Sequence, residues 1–183
     1  MSAEDNPKII YQRSLDNLGV SFEPVVIAKS LEEGLADLAK SAQNDEHEAC
    51  WMYMHDESRW YNLAVEEVPD EEGQYGTSVI TRIPILKNKR ANHYHTHPKK
   101  VIERATDQRL KKLHELNPKS DSLDRLIMNL MLQKGSYIVS IFPSESDISL
   151  YEANIRQGIG NSIKFGVVSQ NFTSHTEIDP DVI

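Results

Sequence analysis

Three histidines alternate along one short stretch, Ala91-Asn92-His93-Tyr94-His95-Thr96-His97-Pro98. In a strand, successive side chains leave opposite faces, so His93, His95 and His97 would project from one side. Two imidazoles at i and i+2 can then reach a single cation without distorting the backbone. Zinc suits imidazole and carboxylate ligands, and a catalytic zinc site uses three protein ligands plus water. The third ligand must come from elsewhere in the chain. Asp147 offers one, at a helix start signalled by Pro143-Ser144-Glu145-Ser146-Asp147. Each feature alone has a plain structural reading. A lone strand histidine is more often a surface group than a ligand, Ser144-x-x-Asp147 is an ordinary capping box, and Glu48 is a solvated residue beside Glu46 and His47.

The elements that must position these residues follow from periodicity and punctuation. Lys8-Ile9-Ile10-Tyr11 to Val25-Val26-Ile27-Ala28 is rich in β-branched residues and reads as one or two strands, broken at Asn17-Leu18-Gly19. Ser30 with Glu33 forms a capping box for an amphipathic helix over Leu31 to Gln43. The apolar run from Ala49 to Met54 reads as a buried strand, and Arg59 to Val68 and Thr77 to Leu86 as two more around the acidic turn Pro69 to Gly73. Val101 to Lys134 is charged and splits at Asn117-Pro118-Lys119 into two helices. The second of these places Leu123, Leu126, Ile127, Leu130 and Met131 on one face that should be covered. Tyr137 to Phe142 returns to β character, a helix follows from Pro143 to Gln157, and Ile163 to Ser169 and Phe172 to Ile178 close the chain as strands.

Taken together, Glu48, His95-Thr96-His97-Pro98 and Pro143-Ser144-x-x-Asp147 resemble the signature of the JAMM (MPN+, JAB) zinc metalloproteases. That motif is a glutamate after the first helix, then H-x-H-P, then S-x-x-D. The resemblance implies an α/β (α+β) fold, a mixed central β-sheet flanked by helices, of the cytidine-deaminase-like, JAB-type kind. Residues 1–183 would form one domain, with about 99–136 as a helical insertion. By the same resemblance His95, His97 and Asp147 would ligate zinc, Glu48 would act as general base, and Ser144 would donate to the oxyanion. The implied activity is hydrolysis of peptide or isopeptide bonds, extending to release of ubiquitin or a ubiquitin-like protein from its conjugates. Two departures stand out. Forty-five residues separate Pro98 from Ser144, where the family has a short loop, and Trp51 and Met52 fill a stretch where the family carries a glycine. An insertion tethered beside the site is where substrate specificity would reside.

Composition narrows the alternatives. With 183 residues the chain is the size of one domain. Its net charge of −8 argues against phosphate-driven nucleic-acid binding by the whole surface. Nine basic residues between Lys87 and Lys112, against Glu103 and Asp107, form a local exception. They read first as a solvated helical face and second as a surface recognising an acidic partner or a nucleic acid. Cys50 is the single cysteine, which excludes an intramolecular disulfide and a four-thiolate zinc site. The acidic start Met1-Ser2-Ala3-Glu4-Asp5 is no secretory signal, and no apolar run approaches the roughly 20 residues that span a bilayer. A cytoplasmic protein acting on a protein or peptide substrate is expected, and the sequon Asn171-Phe172-Thr173 would then go unmodified. The competing functions are a catalytically silent scaffold of the same fold and a small-molecule metalloenzyme of another fold such as a cupin.

Overall fold

A computed structural model describes residues 6–67, 79–84, 89–116, 118–119, 122–156, 163–169 and 176–178. The chain opens with helix α1 (Pro7–Asn17), where a strand was expected. Local β-branched content lost to three helical signals. Asn6 caps the Lys8 amide, Pro7 sits in the first turn, and Tyr11 and Leu15 bury at helical spacing. The helix ends in a Schellman motif: Val20 N–H donates to Leu15 and Gly19 N–H to Asp16, with Gly19 at φ +70°. Strand β1 (Val26–Ala28) keeps the rest of the expected β segment.

Ser30 and Glu33 form the expected capping box of α2 (Leu31–Asn44), which buries Leu35, Leu38, Ala39 and Ala42. Strands β2 (Cys50–Met54) and β3 (Arg59–Leu63) follow. The strand expected to run on to Val68 breaks at Ala64, so β4 (Val65–Glu67) pairs with β5 (Val79–Thr81) in a separate two-stranded sheet. The acidic turn Pro69 to Gly73 and the sequon at 171–173 lie outside the described residues. Strand β6 (Ala91–His97) carries the histidines, and β7 (Ile163–Ser169) and β8 (Thr176–Ile178) complete the main sheet.

That sheet has the order β1-β3-β2-β6-β7-β8, antiparallel except where β6 and β7 run parallel. A parallel neighbour requires a crossover. Here it consists of α3 (Lys99–Leu116), α4 (Ser122–Val139) and α5 (Glu145–Arg156). The molecule is therefore a mixed sheet flanked by helices. On one face Cys50, Met52, Met54, Leu63 and Phe165 pack with Tyr11 and Leu15 of α1 and Tyr151 of α5. On the other, Tyr53, Trp60, Tyr94 and Val168 meet Leu35, Leu38 and Ala39 of α2.

One expectation about the crossover fails. Tyr137 to Val139 belong to the end of α4, and residues 140–142 form a turn with no strand. Eighteen residues of continuous helix outweigh the local preference of Ile138 and Val139, and Gly135 has open space where a Cβ would sit. The apolar stripe of α4 is exposed on the single chain, Leu123 by 61% and Leu130 by 58%, which leaves a second copy or a partner as the cover the sequence also allows. Helix α4 packs against α3. None of the described helices is long and apolar enough to cross a membrane.

Gly34 lets α2 approach the sheet. A Cβ there would lie 2.0–2.4 Å from the indole of Trp60, whose Nε1 donates to the Ser30 carbonyl at 3.1 Å. Gly34→Ala gains helix propensity of about 1 kcal/mol, yet the buried ring cannot yield. A net loss of about 1–3 kcal/mol is expected from overpacking, read as a lowered urea midpoint. Leu126→Gln with Leu130→Gln should by contrast stay within about 0.5 kcal/mol per site, because those side chains are already exposed.

Candidate metal centre

The site is assembled by one strand register and one helix cap. Strands β2 and β6 pair antiparallel with Cys50 opposite His95 and Met52 opposite His93. Directly opposed residues share a face, so the three histidines lie on the α1/α5 side of the sheet. The pairing continues past the end of β2. Thr96 N–H donates to the Ala49 carbonyl and Thr96 Oγ1 accepts from the Ala49 N–H, both at 2.9 Å. This extension carries Glu48 to the end of β6, alongside His97.

The cap supplies the other ligand. Ser144 N–H donates to Asp147 Oδ2 at 2.6 Å and Asp147 N–H donates to Ser144 Oγ at 3.2 Å. This reciprocal pair starts α5 and holds the carboxylate against the histidines. Asp147 Oδ1 lies 3.3 Å from His95 Nε2 and Oδ2 lies 3.7 Å from His97 Nε2. The two Nε2 atoms are 3.0 Å apart, and ligand atoms of His95, His97 and Asp147 all fall within 4.8 Å of one another. This group can hold a metal ion. The donor chemistry fits a divalent cation of the zinc type, with two imidazoles and one carboxylate. The outer contacts fit it too. His97 Nδ1 lies 2.8 Å from the Ser140 carbonyl, an acceptor only, which fixes a proton on Nδ1 and aims Nε2 at the shared point.

The electrostatics agree with a charged cluster screened from water. Burial alone would raise the Asp147 carboxyl, but hydrogen bonds from His95, His97 and Ser144 hold it far below the carboxylate range. Burial would depress His97, and Asp147, Glu48 and the Ser140 carbonyl together raise it instead. Glu48 is pushed up by burial, partly offset by His95 and His97. The carboxylates next to it in sequence or space are engaged elsewhere: Glu46 with Lys100 at 2.6 Å, Glu66 with Arg82 at 3.7 Å, and Glu67 with His47. Cys50 is buried and its thiol is pushed upward by that burial, so it is no nucleophile.

His93 stays outside the cluster. It is 1% exposed, neither ring nitrogen has a partner among the described residues, and burial drives its pKa down to about 3. Its ring meets Phe165 and Tyr151 edge to face, at 5.7 and 6.4 Å between centroids. It is a neutral floor beneath the ligands. Two contributors escaped the sequence reading, Ser140 and Tyr151. Tyr151 Oη lies 3.0 Å from His95 Nδ1, and burial pushes its phenol upward, keeping it protonated. Only the spacing of Asp147 and Tyr151, four residues apart on a helix, hinted at a shared direction.

The sign of the pH dependence follows from His97 and Asp147. The folded-state pKa of His97 is raised, so its stabilisation is fully present below about pH 6.5 and lost as pH rises through the raised value. That of Asp147 is depressed, so its contribution holds above about pH 3.9 and is lost only in stronger acid. In chelator-treated protein, the stability difference between wild type and His97→Asn should be constant from about pH 4 to 6.5 and shrink above that. Urea midpoints across pH measure it, and a flat difference into the alkaline range would contradict the assignment.

Against known proteins the chain matches no family model, no curated protein and no solved structure, so the reading of this centre rests on its own geometry.

Proposed function

We propose that the protein is a zinc-dependent hydrolase of the JAMM type, with a JAB-like fold, cleaving peptide or isopeptide bonds. The observation that carries this is the convergence of His95, His97 and Asp147 within 4.8 Å, beside a half-buried carboxyl, Glu48, that both histidines influence. His95, His97 and Asp147 would hold the ion. Zinc, when bound, would supply Lewis acidity that lowers the pKa of water to about 7.

The chain's own residues do the rest. Burial raises the Glu48 carboxyl above its ordinary range, the direction that suits a group taking a proton from an attacking water and returning it to the leaving amine. Ser144, one turn from the ligand Asp147, is the proposed donor to the developing oxyanion. Asp147 and the Ser140 carbonyl keep the His97 ring from turning. Release of a ubiquitin-like protein from a conjugate is the substrate proposal. The α3–α4 hairpin leaves the sheet two residues after His97 and is the segment proposed to contact that substrate.

Glu48→Gln keeps the shape of the side chain and loses the proton acceptor. It should retain zinc at one ion per chain while hydrolysis falls about 10²–10⁴-fold. Ser144→Ala should lower kcat about 10²–10³-fold and cost about 1 kcal/mol of stability through the lost cap. A generic fluorogenic peptide or isopeptide assay alongside metal analysis reads both. Full activity in Glu48→Gln would remove Glu48 from the mechanism, and a zinc-loaded wild type inert on every amide tested would favour the silent scaffold.

A further inference from the structure

Helix α5 reaches both nitrogens of one imidazole. Asp147 lies 3.3 Å from His95 Nε2, and Tyr151, one turn later on the same helical face, lies 3.0 Å from His95 Nδ1. His95 is thus gripped from its two sides by a single rigid element. The grip is firm. Tyr151 is fully buried and its ring stacks on Phe165 of β7, with centroids 4.2 Å apart and planes 23° apart.

A neutral imidazole carries one proton, and ligation through Nε2 requires that proton on Nδ1. A buried Nδ1–H needs an acceptor, and the phenol oxygen is the partner beside it. His97 obtains the same service from the Ser140 carbonyl. We infer that Tyr151 is a positioning residue for cation binding, its hydroxyl oxygen orienting His95 and holding the tautomer whose Nε2 is open to the metal. This rests on the metal reading above. It adds a requirement absent from the three ligands, that the metal affinity of His95 depends on a hydroxyl 56 residues away in the chain. Groups that orient metal-bound histidines typically contribute about 10–100-fold in affinity.

The test compares two buried tyrosines stripped of the same atom. Tyr11 is 1% exposed and packs in the same core cluster as Tyr151, but its Oη serves the backbone, accepting the Ala64 N–H at 2.6 Å. Zn²⁺ and Co²⁺ affinities are measured by competition with a chromophoric chelator on full-length wild type, Tyr151→Phe and Tyr11→Phe. Both variants should lose thermal stability in the metal-free state. Tyr151→Phe alone should weaken both ions about 10–100-fold and alter the visible absorption of the cobalt-loaded protein. Unchanged affinity in Tyr151→Phe, or an equal loss in Tyr11→Phe, overturns the inference while leaving the metal centre intact. A wild type that takes up neither ion overturns the metal reading and this inference with it. Should Tyr151→Phe fail to fold, long-range proton–nitrogen spectra of zinc-loaded wild type decide. A proton on His95 Nδ1 is expected, and a proton on His95 Nε2 contradicts the role.

Discussion

Both oxygens of Asp147 are engaged, by two imidazoles and by the amide of Ser144. That carboxylate is the constraint on which the centre depends. It is a charge only one-fifth exposed, and a charge so placed is tolerated only when paired and hydrogen-bonded. The S-x-x-D cap satisfies one side and the histidines the other. Remove the carboxylate and two imidazole nitrogens 3.0 Å apart face each other with nothing between them. The cluster as a whole balances a lowered Asp147, a raised His97 and a raised Glu48. A dication among the three ligands would favour neutral His97 and ionised Glu48, the states that ligation and base catalysis need.

The long crossover is less foreign to the site than its length suggests. Lys99 begins α3 two residues after His97, and Ser140, just past α4, accepts from His97 through its carbonyl. The hairpin therefore leaves and re-enters at the same side chain. Lys100 reaches back to Glu46, pinning the start of α3 beside the segment that carries Glu48. The crossover thus supplies part of the frame that orients His97, while the apolar stripe of α4 remains exposed on the single chain.

What could be read from sequence was governed by local rules. The capping boxes at Ser30–Glu33 and Ser144–Asp147 are four-residue patterns with a fixed backbone consequence, and both formed. The alternation of His93, His95 and His97 needs only a strand, and β6 is one. Failures came where tertiary context or helix continuation overrode residue preference, as in Ile9-Ile10-Tyr11 of α1 and Ile138-Val139 at the end of α4. His93 could not be told from a ligand, because strand alternation gives a face but not a distance along it. Tyr151 and Ser140 were invisible for another reason: their contacts to His95 and His97 span 56 and 43 residues. Gly34 was equally silent, since its value lies in the indole of Trp60.

The central claim is that two histidines and one aspartate bind a single divalent ion. Elemental analysis of the full chain, loaded with zinc and dialysed to equilibrium, tests it most directly. One zinc per chain in the wild type, with near-complete loss in Asp147→Ala and in His95→Ala, is the predicted result. A wild type without metal, or an Asp147→Ala protein that keeps a full equivalent, would contradict the account.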